Sequence, residues 1–299
     1  MIYSTVVRQI GATFILFAAS LCWATPASAN CPKTLSGKFA GVDNYITYQD
    51  GTLTPLSQVG GIRVISFNSK NNTITATAIG TEMVLSVGTN QYNHSYTGTF
   101  SYSSSHCFGT ISQTLVGSNP ATTTTEFFTL ADNGSKLMLS FAGLSTDPLA
   151  FQPNSAVYDA IGNCPTSLSG TFTGATTYTV YLPVSYALSA PLGTGVNVST
   201  TTYNPNGTQT GDYGGQAAWV YGGAPDISTF TPNSNAPGTF TFSSSTCMGS
   251  STFYGNGGVQ FTHGFVVTMN GGKIFSTPLI AQYSPALTLF ISDYSAFRQ

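Results

Sequence analysis

GTFSYSSSHCFGT, residues 98–110, is nearly rewritten further on as GTFTFSSSTCMGS, residues 238–250. Working outward from these two stretches, further landmarks recur in the same order. CPKTLSGKFAG from Cys31 returns as CPTSLSGTFTG from Cys164, which matches Leu35 with Leu168, Gly37 with Gly170 and Phe39 with Phe172. FNSKNNT from Phe67 has a counterpart in YNPNGTQ from Tyr203, and DNGSKL from Asp132 in MNGGKI from Met269. Landmarks recurring in order at similar spacing mark an internal repeat. The chain therefore divides into residues 1–29, a first unit over 30–162 and a second over 163–299. Each unit has the size of one ordinary domain. The linker near AIGNCP (160–165) is short, so the two units are expected to touch.

Residues 1–29 read as a secretory signal peptide. Arg8 precedes an apolar run from Ile10 to Ala24, and Ala27-Ser28-Ala29 is a small-residue cleavage site. The run is short for a membrane-spanning helix. The mature chain is then expected to begin at Asn30 and to be exported to the periplasm, the cell surface or the medium. It retains Cys31, Cys107, Cys164 and Cys247, an even number in an oxidising compartment, which reads as disulfides. No C-x-x-C pair offers a foothold for zinc. Four cysteines allow three connectivities. The economical one joins Cys31 to Cys107 and Cys164 to Cys247, one bond per unit.

Both units read as β-structure. Segments such as SYTGTFSY (95–102), TTEFFTL (124–130) and KLMLSFAG (136–143) alternate apolar and small polar residues, as half-buried strands do. Asn-Gly pairs at Asn133, Asn206 and Asn270 mark tight turns. NAPG at Asn235 and SNPATTTT at Ser118 read as loops. About eight short antiparallel strands per unit are expected, closing into a small barrel or folding as a sandwich. The fold class is all-β.

The order Cys-x-x-x-Leu-x-Gly-x-Phe, an aromatic-Asn turn, Gly-Thr-Phe-x-Phe/Tyr before Cys-x-Gly, and then Asn-Gly-x-Lys resembles a group of uncharacterised bacterial secreted proteins. Members of that group usually carry one such unit and often end, as here, in Arg-Gln (Arg298, Gln299). The resemblance implies a lipocalin-like antiparallel barrel in each unit and an exported location, and it implies no activity. The chain departs from the group where His106 and Thr246 stand in place of an Asp before the central cysteine.

Charged residues make up 6% of the chain, against about 25% in an average protein. With so few cations there is no basic patch to neutralise phosphates, which excludes nucleic acid as a partner class. Low surface charge also gives weak protection against self-association. The three histidines, His94, His106 and His263, are not repeated between units. Ser103, Ser104 and Ser105 beside His106 invite a nucleophile–base reading, but neighbours on a strand face opposite ways. His263 in QFTHGF is expected to point outward. No carboxylate pair among Asp43, Asp50, Glu82 and Glu126 is singled out by a motif or by the repeat.

No catalytic residue, metal ligand or cofactor is assigned. Paired aromatics such as Phe100 with Phe240 and Tyr102 with Phe242 read as core. Tyr213, Trp219 and Tyr221 lie in GDYGGQAAWVYGG, read as an insertion of the second unit alone; it is either a long hairpin whose Trp packs on the barrel or a Gly-flexible loop that offers a binding surface. Three functions follow. The first is a non-catalytic exported protein acting in surface contact or extracellular assembly, with itself or another surface component as partner. The second is a carrier or sensor holding a small apolar ligand in a barrel lined by Phe, Leu and Val. The third is an enzyme working in such a cavity.

Overall fold

A computed structural model describes residues 31–48, 55–84, 88–144, 155–181, 193–221, 224–254, 260–284 and 287–299. The signal-peptide reading of residues 1–29 and the residue Asp50 lie outside them. The chain forms two closed antiparallel barrels of eight strands each. The first contains β1 (Gly37–Tyr48), β2 (Pro55–Asn68), β3 (Thr73–Val84), β4 (Gly88–Ser103), β5 (Phe108–Leu115), β6 (Thr123–Ala131), β7 (Lys136–Leu144) and β8 (Ser155–Ala160). The second contains β9 (Gly170–Tyr181), β10 (Gly193–Tyr203), β11 (Thr208–Tyr221), β12 (Ala224–Ser243), β13 (Met248–Tyr254), β14 (Gln260–Thr268), β15 (Lys273–Ser284) and β16 (Leu287–Arg298). Each barrel closes by pairing its first strand with its last. The barrel, rather than the sandwich, is the architecture. Closure leaves no unpaired edge for another chain to extend.

The repeated sentences are the disulfide end of each barrel. Cys31 bonds Cys107 and Cys164 bonds Cys247, the pairing expected from the repeat. Cys107 and Cys247 both adopt left-handed backbone, with φ of 53° and 60°. That conformation is unfavourable for a residue with a Cβ, and here it closes the turn from β4 to β5 and from β12 to β13. The glycine of Cys-x-Gly has an equally local cause. A Cβ on Gly109 would strike the Phe128 ring and the Ser101 carbonyl, and one on Gly249 would strike the Phe265 ring and the Thr241 carbonyl. Glycine lets the strand lie directly on a core aromatic.

Aromatic geometry is duplicated with the motif. Phe67 meets Phe39 and Phe100 edge-on, as Tyr203 meets Phe172 and Phe240. Tyr102 stacks on Phe128, as Phe242 stacks on Phe265. The paired aromatics therefore fill the disulfide end of each barrel as core. Outside, the low charge is replaced by cross-strand hydroxyl pairs, among them Ser101–Thr110 and its counterpart Thr241–Ser250. Such pairs support strand register without ions.

The barrels pack side by side. The outer face of β1–β3 meets β14 and β15, burying Ala40, Ile62 and Val64 against Val266 and Phe275. Lys273 Nζ reaches Asp159 Oδ2 at 2.7 Å, and Thr81 Oγ1 donates to the Pro278 carbonyl at 2.9 Å. Asn270 donates its N–H to the Ile161 carbonyl, and its Oδ1 accepts from the Asn163 N–H. The short linker is thereby pinned to the second barrel.

Three local readings are corrected. NAPG at Asn235 lies within β12 rather than a loop. The stretch with Tyr213, Trp219 and Tyr221 is β11, paired with both β10 and β12; it is a hairpin strand, as one of the two readings has it, not a flexible loop, and not an insertion, since it holds the place of β3. Its ladder of backbone hydrogen bonds outweighs the turn preference of its glycines; the side chains of these three aromatics lie outside the described residues. The strands are also not short, since β12 runs for 20 residues.

Candidate functional site: a charged layer in the first barrel

Strand alternation turns Asp43 of β1, Arg63 of β2, Gln113 of β5 and Glu126 of β6 into the interior of the first barrel, one layer above the aromatic core. Each is buried. Arg63 is the hub. Its Nε lies 3.0 Å from Asp43 Oδ2, and its Nη1 donates to both Glu126 oxygens at 2.9 and 3.0 Å. Nε also donates to the Tyr158 hydroxyl at 2.9 Å, and that hydroxyl donates to Asp43 Oδ1. Gln113 Nε2 donates to Glu126 Oε2 at 3.1 Å. Gln113 Oε1 is buried without a hydrogen-bond partner among the described residues.

Burial opposes the charge of Arg63, but Asp43 and Glu126 outweigh it and hold the guanidinium protonated. Burial raises the Glu126 carboxyl above its ordinary value, and the Arg63 charge only partly offsets that rise. Burial likewise raises the Tyr158 hydroxyl, which stays a neutral donor.

Above this layer, away from the disulfide, lies a cavity of about 170 Å³. That is the scale of engineered cavities of about 150 Å³ that admit a benzene-sized guest. Tyr45, Tyr92, Tyr96 and His94 form its wall with Glu82, and the Arg63 layer is its floor. Tyr92 and His94 lie with ring centroids 5.0 Å apart. Burial raises the hydroxyls of Tyr45, Tyr92 and Tyr96 above their ordinary value. Two glycines make room for this wall. A Cβ on Gly61 or Gly80 would collide with the Tyr92 hydroxyl, and one on Gly80 would also strike the Gly60 carbonyl. Among the described lining residues Arg63 is the one arginine or lysine, against the carboxylates of Asp43, Glu82 and Glu126.

The lining corrects the expectation of Phe, Leu and Val. Phe and Leu fill the disulfide end, and the open volume is lined mainly by tyrosines and polar or charged groups, with Val59 and Leu115 the larger apolar members. Asp43 and Glu126, which no motif marked, are brought together by Arg63. They clamp a guanidinium rather than face each other across a cleft, so they do not form the acid–base pair of a glycosidase. The signal available in the sequence was period-two spacing: Arg63 lies two residues from Ile65 and Glu126 two from Phe128, on the same faces.

The remaining candidates are dispersed. His106 sits in the exposed turn before Cys107, where the Ser103 and Ser105 hydroxyls lie 3.0 and 2.9 Å from its Nδ1. The contact exists because the chain turns straight after Ser103, the last residue of β4, and brings His106 back to it. No third group orients the ring among the described residues. His263 does not point outward. It lies two residues from the buried Phe265 and shares its inward face, and its ring packs 5.1 Å from Phe253. Burial lowers its pKa to about 4.

The second barrel replaces the charged layer with neutral groups. Register equates Asp43 with Thr176, Arg63 with Ser199 and Glu126 with His263. Ser199 bonds the Tyr294 hydroxyl at 3.1 Å. Among the described residues no group of acidic, His or Cys side chains is arranged to hold a metal, and no helix is long and apolar enough to cross a membrane. No family model and no curated protein matches the chain by sequence.

Proposed function

We propose that the chain is an exported, non-catalytic binding protein whose first barrel holds a small polar ligand carrying a positive charge. One observation carries this reading: the second barrel closes the same fold with Thr176, Ser199 and His263 where the first places Asp43, Arg63 and Glu126. The fold itself does not call for the charges. Buried charge is expensive and is weak evidence for stability, so its retention beside a cavity indicates a ligand role. The excess of carboxylate over cation favours a cationic guest, and tyrosine faces attract ammonium groups through their quadrupoles. The ligand is thus polar rather than apolar, as a lipocalin-like carrier would otherwise suggest. Export is supported by the leader-like N-terminal sequence and by a disulfide in each barrel.

Isothermal titration calorimetry with tetramethylammonium and methylammonium chlorides tests it, with sodium acetate as the anionic control. Saturable heat is expected for the ammonium probes alone, weakened at least several-fold by Glu82→Gln. Equal binding of acetate, or no heat from either cation, would overturn the reading.

A further inference from the structure

The contact between the two barrels is heterologous: the β1–β3 face of one repeat meets the β14–β15 face of the other. Because the chain is a tandem repeat, each barrel also owns the face its neighbour uses. The second barrel carries the equivalent of the β1–β3 face on β9–β11. The first carries the equivalent of the β14–β15 face on β6–β7. We infer that these two remaining faces dock on each other between molecules, so that the protein self-associates head to tail through a second copy of its own internal interface.

Both remaining faces carry exposed apolar residues set among threonines, since Thr173, Thr200 and Thr129 stand where Ala40, Val64 and Val266 do. On the second barrel, Val198 stands where Ile62 does and Val196 where Gly60 does; they are 63% and 55% exposed. On the first barrel, Phe127 and Met138 stand at the positions of Gly264 and Phe275, with Phe108 at that of Met248. Phe127, Met138 and Phe108 are all exposed, and Phe108 stacks on Phe127 at 5.8 Å. Single exposed apolar residues need no explanation, whereas a contiguous patch marks an interaction site.

The shapes are complementary in a specific way. Inside the molecule Ile79 packs so closely over Gly264 that a Cβ there would lie 2.8 Å from Ile79 Cδ1. On the remaining faces the large and small residues are exchanged. Phe127 replaces Gly264, and Gly214, paired with Val198, replaces Ile79, which pairs with Ile62. A bulky residue again meets a glycine, from the opposite side. The internal ion pair is not reproduced: Lys136 corresponds to Lys273, but Phe297 stands in the place of Asp159. The contact between molecules is therefore weaker than the internal one. A heterologous contact of this kind builds rings or open filaments rather than closed two-fold dimers.

Sedimentation velocity of the mature full-length chain tests this over a wide concentration range. The wild type is expected to form a concentration-dependent series of oligomers. Phe127→Asp and Val198→Asp, both exposed and outside the core, should each be monomeric. Mixing the two variants should give a heterodimer and nothing larger, since each retains one intact face. Phe297→Asp should tighten association by about two- to five-fold by offering Lys136 of the next molecule a carboxylate. Circular dichroism checks that the variants stay folded; if Phe127→Asp does not, Met138→Lys takes its place. A wild type that stays monomeric throughout, a mixture that stays monomeric, or association unaffected by either aspartate overturns the inference.

Discussion

Glu126 and His263 hold the same place in the two barrels, each facing inward two residues before the aromatic ring that underlies the Cys-x-Gly glycine. One grips Arg63 at 2.9 Å, while the other is an imidazole held neutral against Phe253. The same backbone thus supports a charged interior and an uncharged one. The difference between the copies can be tested position by position.

Removing one partner of the charged layer should be costly. Arg63→Met leaves Asp43 and Glu126 buried without their cation, for an expected loss of about 3–5 kcal/mol. The combined substitution Asp43→Thr, Arg63→Ser and Glu126→His transplants the layer of the second barrel. It is expected to recover most of that loss in urea unfolding while abolishing ammonium binding. A transplant as unstable as Arg63→Met would show that the charges serve the fold.

His263 makes the second barrel sensitive to acid. Its folded pKa is depressed to about 4 from 6.5, so between those values the unfolded chain binds a proton that the folded chain does not. Its contribution is fully present above pH 6.5 and is lost as pH falls towards 4. The loss is on the order of 3 kcal/mol, from about 1.4 kcal/mol per unit. His263→Gln should flatten unfolding free energy across that window, measured by denaturant titration at pH 7 and pH 4.5.

Glu126 acts with the opposite sign. Burial raises its folded pKa, so the folded state holds the proton more tightly than the unfolded state. Stability from this group falls as pH rises from its ordinary carboxyl range through the raised value. Glu126→Gln retains an amide for Arg63 and Gln113 to contact and should remove that slope, seen in the same titrations run between pH 4 and 7.

Gly80 is expected to tolerate no side chain. A Cβ there strikes the Gly60 carbonyl and the Tyr92 hydroxyl. Gly80→Ala should cost roughly 1–3 kcal/mol by overpacking and should weaken ammonium binding by displacing Tyr92. Calorimetry of the variant separates the two effects, because the barrel should still unfold in one transition.

The disulfides close loops with sequence separations of 76 and 83 residues. Replacing both members of either pair by serine should cost about 4–5 kcal/mol in the chain-entropy model. Thermal unfolding of each double variant should show one barrel melting well before the other.

Much of this architecture was legible in the one-dimensional pattern. Duplicated cysteines, glycines and aromatics carry backbone requirements that act locally: Cys107 and Cys247 close turns in left-handed conformation, and Gly109 and Gly249 admit a ring. Such requirements recur wherever the unit recurs, so repetition alone revealed two disulfide-tied β units and their pairing. Alternation with period two marked the inward rows. Interior charge left a weaker trace, because Asp43, Arg63 and Glu126 are 20 and 63 residues apart and no motif links them. His263 keeps period-two alternation with the core ring Phe265, so its inward place was legible from that spacing, whereas β11 forms because its strand partners override glycine's preference for turns.

The sequence by itself determined the repeat, the β class and the disulfide framework, since these rest on local backbone geometry and chain spacing. Only tertiary structure decided which barrel encloses charge, where a cavity remains, and which apolar side chains each barrel leaves exposed on its outer face. Those features depend on closure of the sheet and on the angle at which two closed sheets meet, which bring together residues that no stretch of chain holds side by side.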